Sequence, residues 1–189
     1  MSIENIKTVI VELERAGVAF ERGLSDGELY EIQRIYGIIF PRVWRELYMR
    51  GVPSGEGFPR WGDFSEENVS IIKSLIRKPY DMLLHDVQHG FWLPAWGERP
   101  GADETGTRFA EVTKDAPPLF PVFGHRYAPC LDVVDDPPVI STVGRDTIYY
   151  GCDIADYVRR EFCGEDGEFR VRPHIPFWGD IIDFTENGR

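Results

Sequence analysis

Residues 25–51 read SDGELYEIQRIYGIIFPRVWRELYMRG, and they contain the start and end signals of two successive helices. Ser25 followed three positions later by Glu28 is a capping box, and Gly37 is a residue that readily ends a helix in the left-handed conformation. Pro41 suits the first turn of the next helix, and Gly51 follows that helix. The apolar residues between these signals recur at helical spacing: Leu29, Ile32, Ile35, Val43, Trp44, Leu47 and Tyr48. We therefore predict one helix that ends at Gly37 and another over residues 41–50.

Two more helices are predicted on either side of this stretch. Upstream, residues 3–13 place apolar side chains on one helical stripe, and Gly17 ends the helix. Downstream, residues 52–63 are rich in proline and glycine, which predicts a loop. Ser65 then caps a fourth helix, which we expect to end before Pro79. The first part of the chain is thus predicted to be helical.

From residue 119 onward the pattern changes to short apolar runs separated by proline and glycine, which is typical of antiparallel strands. The runs are residues 119–123, 127–134, 139–143 and 147–150. Asp153 then caps a last helix that runs to Phe162. An acidic turn at 164–167 and an extended or irregular segment at 169–182 follow.

Helices followed by strands indicate an α+β fold rather than an alternating α/β fold. We predict an antiparallel, at most mixed, sheet of about four to six strands, with N-terminal and C-terminal helices packed against it. A chain of 189 residues is long enough to bury a sizeable core, so we expect one domain over residues 1–189.

Charge narrows the classes of partner. The chain carries 21 Lys and Arg residues against 32 Asp and Glu residues, for a net charge of −11. This charge repels nucleic-acid phosphates and anionic membranes, so we expect neither as a partner. Residues 101–189 hold nine basic and 17 acidic residues, and a cationic partner would meet this half first. The alternative is that the acidity only keeps the protein soluble.

The sequence predicts a cytoplasmic protein. Its N-terminus lacks the basic start and apolar run of a signal peptide, and no stretch approaches the about 20 consecutive apolar residues that a membrane helix needs. Cys130, Cys152 and Cys163 are an odd number of cysteines without close-paired spacing, which suits reduced thiols rather than a disulfide framework. We expect a monomer or a weak homodimer.

His85 and His89 are four residues apart, which is the spacing of a zinc-binding pair on a helix. Gly90, Pro79 and Pro94 argue against a helix here. On an extended strand the two side chains would lie about 13 Å apart, too far to share one ion. We therefore predict neither a metal site nor a cofactor.

His125, Arg126 and Tyr127 lie between two predicted strands, where an exposed turn would combine acid–base, anion-binding and stacking groups. The sequence offers no nucleophile for them: it has no Gly-x-Ser-x-Gly elbow, no phosphate-binding glycine loop and no Cys–His pair joined by spacing. The alternative is that Arg126 pairs with a buried or edge carboxylate, for example Asp132, while His125 is an ordinary turn residue. We predict no catalytic residues and keep His125 and Arg126 as candidates for binding a partner or ligand.

Three tryptophans, Trp61, Trp92 and Trp96, lie in segments rich in glycine and proline, where periodicity does not dictate burial. An exposed tryptophan beside charged residues is the kind of side chain that anchors protein interfaces, and core burial is the alternative for each. Trp61, on the loop before the fourth helix, is the one we expect to be exposed and to bind a partner.

Asp132, Asp135 and Asp136 form a short acidic run that is closed by two prolines. Such runs are commonly solvated loops. Clustered carboxylates also complement the basic groove of an enzyme that acts on nucleic acid, and they accelerate its encounter. We include all three aspartates among the candidate partner-binding residues.

Several blocks of this sequence, in this order, resemble the SUKH superfamily. The N-terminal signature is the pair of helices in residues 25–51, joined by Ile-Ile-Phe-Pro. The later blocks are Asp86-Val87, Phe91-Trp92, Trp96-Gly97, Arg99-Pro100, residues 118–121, residues 124–127, residues 138–141 and residues 148–151. The resemblance covers roughly residues 24–162.

The resemblance implies an α+β fold without a shared catalytic constellation. The superfamily includes bacterial immunity proteins that bind polymorphic toxins, often nucleases or deaminases, and a fungal regulator of cell-wall synthesis. We therefore expect a non-catalytic protein that neutralises a basic toxin by direct binding. The alternatives are a regulatory scaffold of the cell-wall type, or a ligand-binding protein or enzyme that uses residues 125–127.

Overall fold

The computed structural model describes residues 3–131, 133–165 and 173–187, and in it helices cover both faces of a four-stranded antiparallel sheet. The helices are α1 (Ile3–Arg15), α2 (Asp26–Tyr36), α3 (Arg42–Arg50), α4 (Glu66–Gln88), α5 (Thr105–Thr113), α6 (Ile154–Phe162) and α7 (Trp178–Asn187). The strands are β1 (Ala19–Arg22), β2 (Gly51–Ser54), β3 (Leu119–Phe123), β4 (Arg126–Pro129), β5 (Val139–Val143) and β6 (Asp146–Gly151). The prediction of an α+β fold is confirmed.

Strands β3 to β6 are neighbours in chain order, and each adjacent pair is antiparallel. Two tight turns make this order possible. Gly124 lies in the turn between β3 and β4, Gly144 lies in the turn between β5 and β6, and both have positive φ angles of 55° and 62°. A short ribbon of β1 and β2 forms a separate antiparallel pair.

Alternate residues of the sheet enter two different hydrophobic cores, because successive strand side chains point to opposite faces. Phe120, Val122 and Ala128 pack with α1, α2, α3 and α6. Leu119 and Tyr127 pack with α4, α5 and α7. Because both faces are buried, the strands read as nearly continuous apolar runs, which is what made them visible in the sequence.

The capping signals around α2 are present as predicted. The Ser25 hydroxyl accepts the backbone N–H of Glu28, the Glu28 carboxylate accepts the backbone N–H of Ser25, and Gly37 ends the helix at a φ of 70°. A hydrogen bond from Arg22, followed by those from Ser25, lowers the pKa of Glu28 to about 2. Gly51 ends α3 differently, since its φ of −179° is extended and begins β2.

Three of the predicted boundaries are wrong. α4 continues through Pro79 to Gln88 instead of ending before the proline. Pro79 has no N–H to donate to the carbonyl of Leu75, four residues earlier. That carbonyl instead accepts a hydrogen bond from the Tyr127 hydroxyl at 3.0 Å. The predicted loop at 52–63 begins with strand residues of β2, which pair with β1. Within the predicted irregular segment at 169–182, Trp178 begins α7.

Other differences are smaller. α5 was not predicted, and β4 ends at Pro129, well before residue 134. α6 and its Asp153 cap are as predicted, with the Asp153 carboxylate accepting the backbone N–H of Asp156 at 2.7 Å. The predicted acidic turn lies partly outside the described residues. Among the helices that the structure describes, none combines the length and the apolarity that crossing a membrane requires.

Candidate protein-interaction surface

Trp61 is buried, with 1% of its surface exposed, so the prediction that it is exposed is wrong. Its ring packs edge-on against Tyr36 and Phe40, with centroid distances of 5.9 and 5.1 Å, and lies 6.4 Å from Tyr48. The loop that carries Trp61 folds this side chain inward, between α2 and α3. Trp61 therefore belongs to the core and is no partner-binding side chain.

The other two tryptophans differ in burial. Trp96 is 8% exposed and stacks on Phe177 at a centroid distance of 5.5 Å. Trp92 is half-buried, and its indole N–H donates to the Gly97 carbonyl at 2.9 Å. Neither is available as a free aromatic anchor.

Arg126 is part of a saturated polar cluster between the sheet and α6. Its guanidinium donates to Glu161 at 2.7 Å and to the Ser141 hydroxyl at 2.8 Å, and it lies 3.7 Å above the Tyr150 ring. The side chains of Arg126 and Glu161 are only 12% and 16% exposed. The carboxylate partner of Arg126 is thus Glu161, whereas Asp132, the partner suggested from the sequence, lies outside the described residues.

His125 is exposed on the turn that precedes β4, and its Nε2 contacts the Arg126 guanidinium. Burial, followed by the positive charge of Arg126, lowers the pKa of His125. The hydroxyl of Ser141 accepts a hydrogen bond from the Arg126 guanidinium rather than from a histidine. The cluster therefore offers a buried ion pair and no nucleophile with an adjacent base.

The two described aspartates of the acidic run have structural partners. The Asp135 carboxylate meets Arg42 at 3.2 Å, and its backbone carbonyl accepts the N–H of Val43 at 3.0 Å. The Asp136 carboxylate accepts the N–H of Ile154, the first residue of α6, at 3.0 Å. Asp135 remains exposed, with 60% of its side chain accessible, so of these two it is the better partner-binding candidate.

A groove that the sequence analysis did not identify lies between α2 and the start of α3. It has a volume of about 220 Å³. We call it the α2–α3 groove, and it is lined by Asp26, Leu29, Tyr30, Gln33, Ile38, Ile39, Phe40 and Arg45. Two of these apolar side chains are largely exposed: Tyr30 at 64% and Ile39 at 57%. Arg45 closes one side through an ion pair with Asp26 at 2.5 Å.

The acidic run lies beside this groove. Arg42, which holds Asp135, stands one helical turn before Arg45 on α3, so the two arginines share a helix face. Val133, two residues before Asp135, is 95% exposed. We use the name groove surface for the exposed side chains of the groove together with the ion pair at the start of α3: Tyr30, Ile39, Arg42, Arg45 and Asp135.

Two local signals could have located the groove surface. Tyr30 follows Leu29 and falls off the apolar stripe of its helix, which predicts an outward side chain. Ile38, Ile39 and Phe40 are three consecutive apolar residues. Ile38 and Phe40 are buried, whereas Ile39 between them faces outward. An apolar residue that periodicity turns outward is the informative one.

His85 lies on the last turn of α4 and His89 is the C-cap residue that follows Gln88, so the prediction that this segment is not helical is wrong. Their rings stack with a centroid distance of 4.1 Å and an interplanar angle of 29°. Within residues 3–131, 133–165 and 173–187, no group of three or more His, Cys, Asp or Glu side chains is arranged to hold a metal ion.

Comparisons with protein-family models, curated proteins and solved structures found no match to this chain. The resemblance to SUKH proteins therefore stays a prediction from the sequence.

Proposed function

We propose that the protein is a non-catalytic binding protein that neutralises a basic toxin of the nuclease or deaminase type by direct contact. The groove surface carries this proposal, since it exposes Tyr30 and Ile39 at 64% and 57% beside a concavity of about 220 Å³. Large apolar side chains on the rim of a pocket are the typical anchors of a protein interface, and tyrosine and arginine are enriched among them.

Charge supports a cationic partner. The net charge of −11 gives a long-range attraction for a basic surface. At the groove surface itself the charges are paired, Asp135 with Arg42 and Asp26 with Arg45, so the attraction comes from the net charge of the chain rather than from this surface. Enzymes that act on nucleic acid carry basic grooves, and an acidic binder that covers such a groove blocks the substrate.

The main test is co-purification with the products of neighbouring genes, followed by binding kinetics with the toxin that is captured. Tyr30→Ala should speed dissociation by at least about 30-fold, which corresponds to about 2 kcal/mol for an anchoring side chain. Ile39→Ala should act in the same direction. The matched control is Ile71→Ala on α4, which removes an isoleucine that is 50% exposed away from the groove.

A separate variant, Asp135→Lys, tests whether electrostatic attraction speeds the encounter with the toxin. It should slow association and weaken the dependence of the association rate on salt. Asp136 is unsuitable because its carboxylate caps the start of α6. Equal dissociation rates for Tyr30→Ala, Ile39→Ala and Ile71→Ala would rule out the groove surface as the interface. Failure to capture any toxin, together with failure to protect cells from the adjacent gene product, would reject the immunity function itself.

A regulatory scaffold of the cell-wall type would also bind a protein, but it would not inhibit an enzyme. The same captured complex separates these functions, because a neutralising partner must lose activity in proportion to the complex formed. Gene neighbourhood gives an independent criterion, since an immunity protein is expected beside a large secreted toxin.

A further inference from the structure

The C-terminal turns of α4 place two imidazoles side by side on its surface. His85 lies on the last turn of α4 and His89, four residues later, is the C-cap residue; their ring centroids are separated by 4.1 Å. Two zinc-bound nitrogens, each about 2.05 Å from the metal at a tetrahedral angle, lie about 3.3 Å apart. Both side chains are exposed, so their rings can turn out of the stacked arrangement to bring one nitrogen of each to that separation.

The protein also selects which nitrogen of His89 is available. Nδ1 of His89 lies 2.7 Å from the backbone carbonyl of His85, and an N–H there must donate to this oxygen, so Nε2 carries the lone pair. Nδ1 of His85 lies 3.8 Å from the Asp86 carboxylate, beyond hydrogen-bond distance, so His85 is free to offer either ring nitrogen. Asp86 is itself held in place by the backbone N–H of Arg145 at 2.6 Å. The hydrogen bond of His89 is typical of metal-binding histidines, whose second nitrogen donates to a carbonyl or carboxylate.

We propose that His85 and His89 form a bidentate site for a divalent transition metal of the zinc, nickel or copper class. Imidazole nitrogen is a good ligand for all three metals. The metal binds through Nε2 of His89 and one ring nitrogen of His85 and replaces two of its water ligands, and its other positions stay with water. Asp81 lies one turn before His85 on the same helix face and adds a favourable negative charge. The site is independent of the proposed toxin binding.

The test uses zinc as the probe and isothermal titration of the full chain in a buffer that does not bind metal. The chain has four histidines, which permits a matched pair of double variants. His85→Gln with His89→Gln removes the proposed site, whereas His125→Gln with His174→Gln removes two histidines elsewhere. We expect one zinc per chain in the native protein and in the second variant, and at least about a tenfold weaker affinity in the first variant.

Imidazole nitrogen NMR supplies a readout that does not depend on affinity. Without metal, the ring of His89 should show the Nδ1–H tautomer, and zinc should shift Nε2 of His89 and one ring nitrogen of His85 while leaving His125 unchanged. Circular dichroism of each variant confirms that the helices are retained. Equal zinc affinity in the two double variants, or no saturation up to about 1 mM zinc, would overturn the proposal.

Discussion

The guanidinium of Arg126 shows how a side chain that suggests a binding site can be fully used by the fold. It donates to Glu161 and Ser141 and lies over the Tyr150 ring, with only 12% of the side chain exposed. Removing one partner of a buried pair is strongly destabilising because it leaves an uncompensated charge. Arg126 is therefore better understood as part of the attachment of α6 to the sheet than as a ligand-binding group.

Trp61 leads to a prediction about stability rather than binding. Trp61→Ala should lower the free energy of unfolding by about 3–5 kcal/mol, because it empties a core position that is 1% exposed and surrounded by three aromatic rings. Trp61→Phe keeps an aromatic ring in the core and should lower the free energy of unfolding clearly less than Trp61→Ala does. Urea unfolding monitored by circular dichroism measures both. If Trp61→Ala unfolds at the native urea concentration, the side chain is not part of the core.

Helix α4 depends on a contact from a distant strand. Pro79 has no N–H for the carbonyl of Leu75, and its ring pushes that carbonyl outward. The Tyr127 hydroxyl of β4 occupies the vacant position at 3.0 Å. The helix therefore continues beyond the proline to Gln88, with His85 on its last turn and His89 as its C-cap residue.

A double-mutant cycle tests this contact. Tyr127→Phe should lower the free energy of unfolding by about 1–2 kcal/mol, since the carbonyl of Leu75 loses its donor. In a Pro79→Ala background, Tyr127→Phe should lower the free energy of unfolding by less than half as much. The new N–H of residue 79 then donates a hydrogen bond to the carbonyl of Leu75 directly. Urea unfolding of the four proteins gives the coupling. Strictly additive losses would show that Tyr127 and Pro79 are not coupled through Leu75.

The two hydrophobic cores contain tyrosines whose hydroxyls lie away from water. Burial raises the pKa of Tyr80 to about 12 and that of Tyr127 to about 12. Burial also raises the pKa of Tyr48 and of Tyr157. An unfolded chain exposes these hydroxyls and releases their protons near pH 10.

The whole molecule should therefore lose stability in alkali. Below about pH 10 both states keep the tyrosine protons and the stability is fully present, whereas from about pH 10 to 12 only the unfolded state ionises. Each such tyrosine should lower the free energy of unfolding by up to about 1.4 kcal/mol per pH unit in this window. Urea unfolding at about pH 8 and about pH 11 measures the loss. In the variant with Tyr80→Phe and Tyr127→Phe, the free energy of unfolding should fall less between these two pH values. The same fall as in the native protein would show that these two tyrosines are not the cause.

Much of the architecture was predictable because its signals are local. The capping box at Ser25 and the left-handed Gly37 act on backbone groups within a few residues, and the runs that became β3 and β5 are apolar because both sheet faces are buried. α7 was missed although Trp178, Ile181 and Ile182 have helical spacing and are buried. The two prolines earlier in that segment outweighed the pattern.

The candidate site was less predictable than the fold. Asp135 was identified from its charge, and the structure places it at the edge of the groove surface. From the sequence, Tyr30 and Ile39 are only part of the stretch that forms the two helices, and neither is predicted to bind a partner. Trp61 was assigned to a surface and lies in the core.

Local signals set where helices α1, α2, α3 and α6 begin and end and where the tight turns of the sheet fall, because capping and turn formation depend on neighbouring residues. The packing of the helices on the sheet sets which side chains are buried and which carboxylate meets Arg126. Glu161 is 35 residues from Arg126, and Leu75 is 52 residues from Tyr127. Burial and hydrogen-bond pairing at such separations depend on how the helices pack on the sheet, and no local pattern encodes that packing.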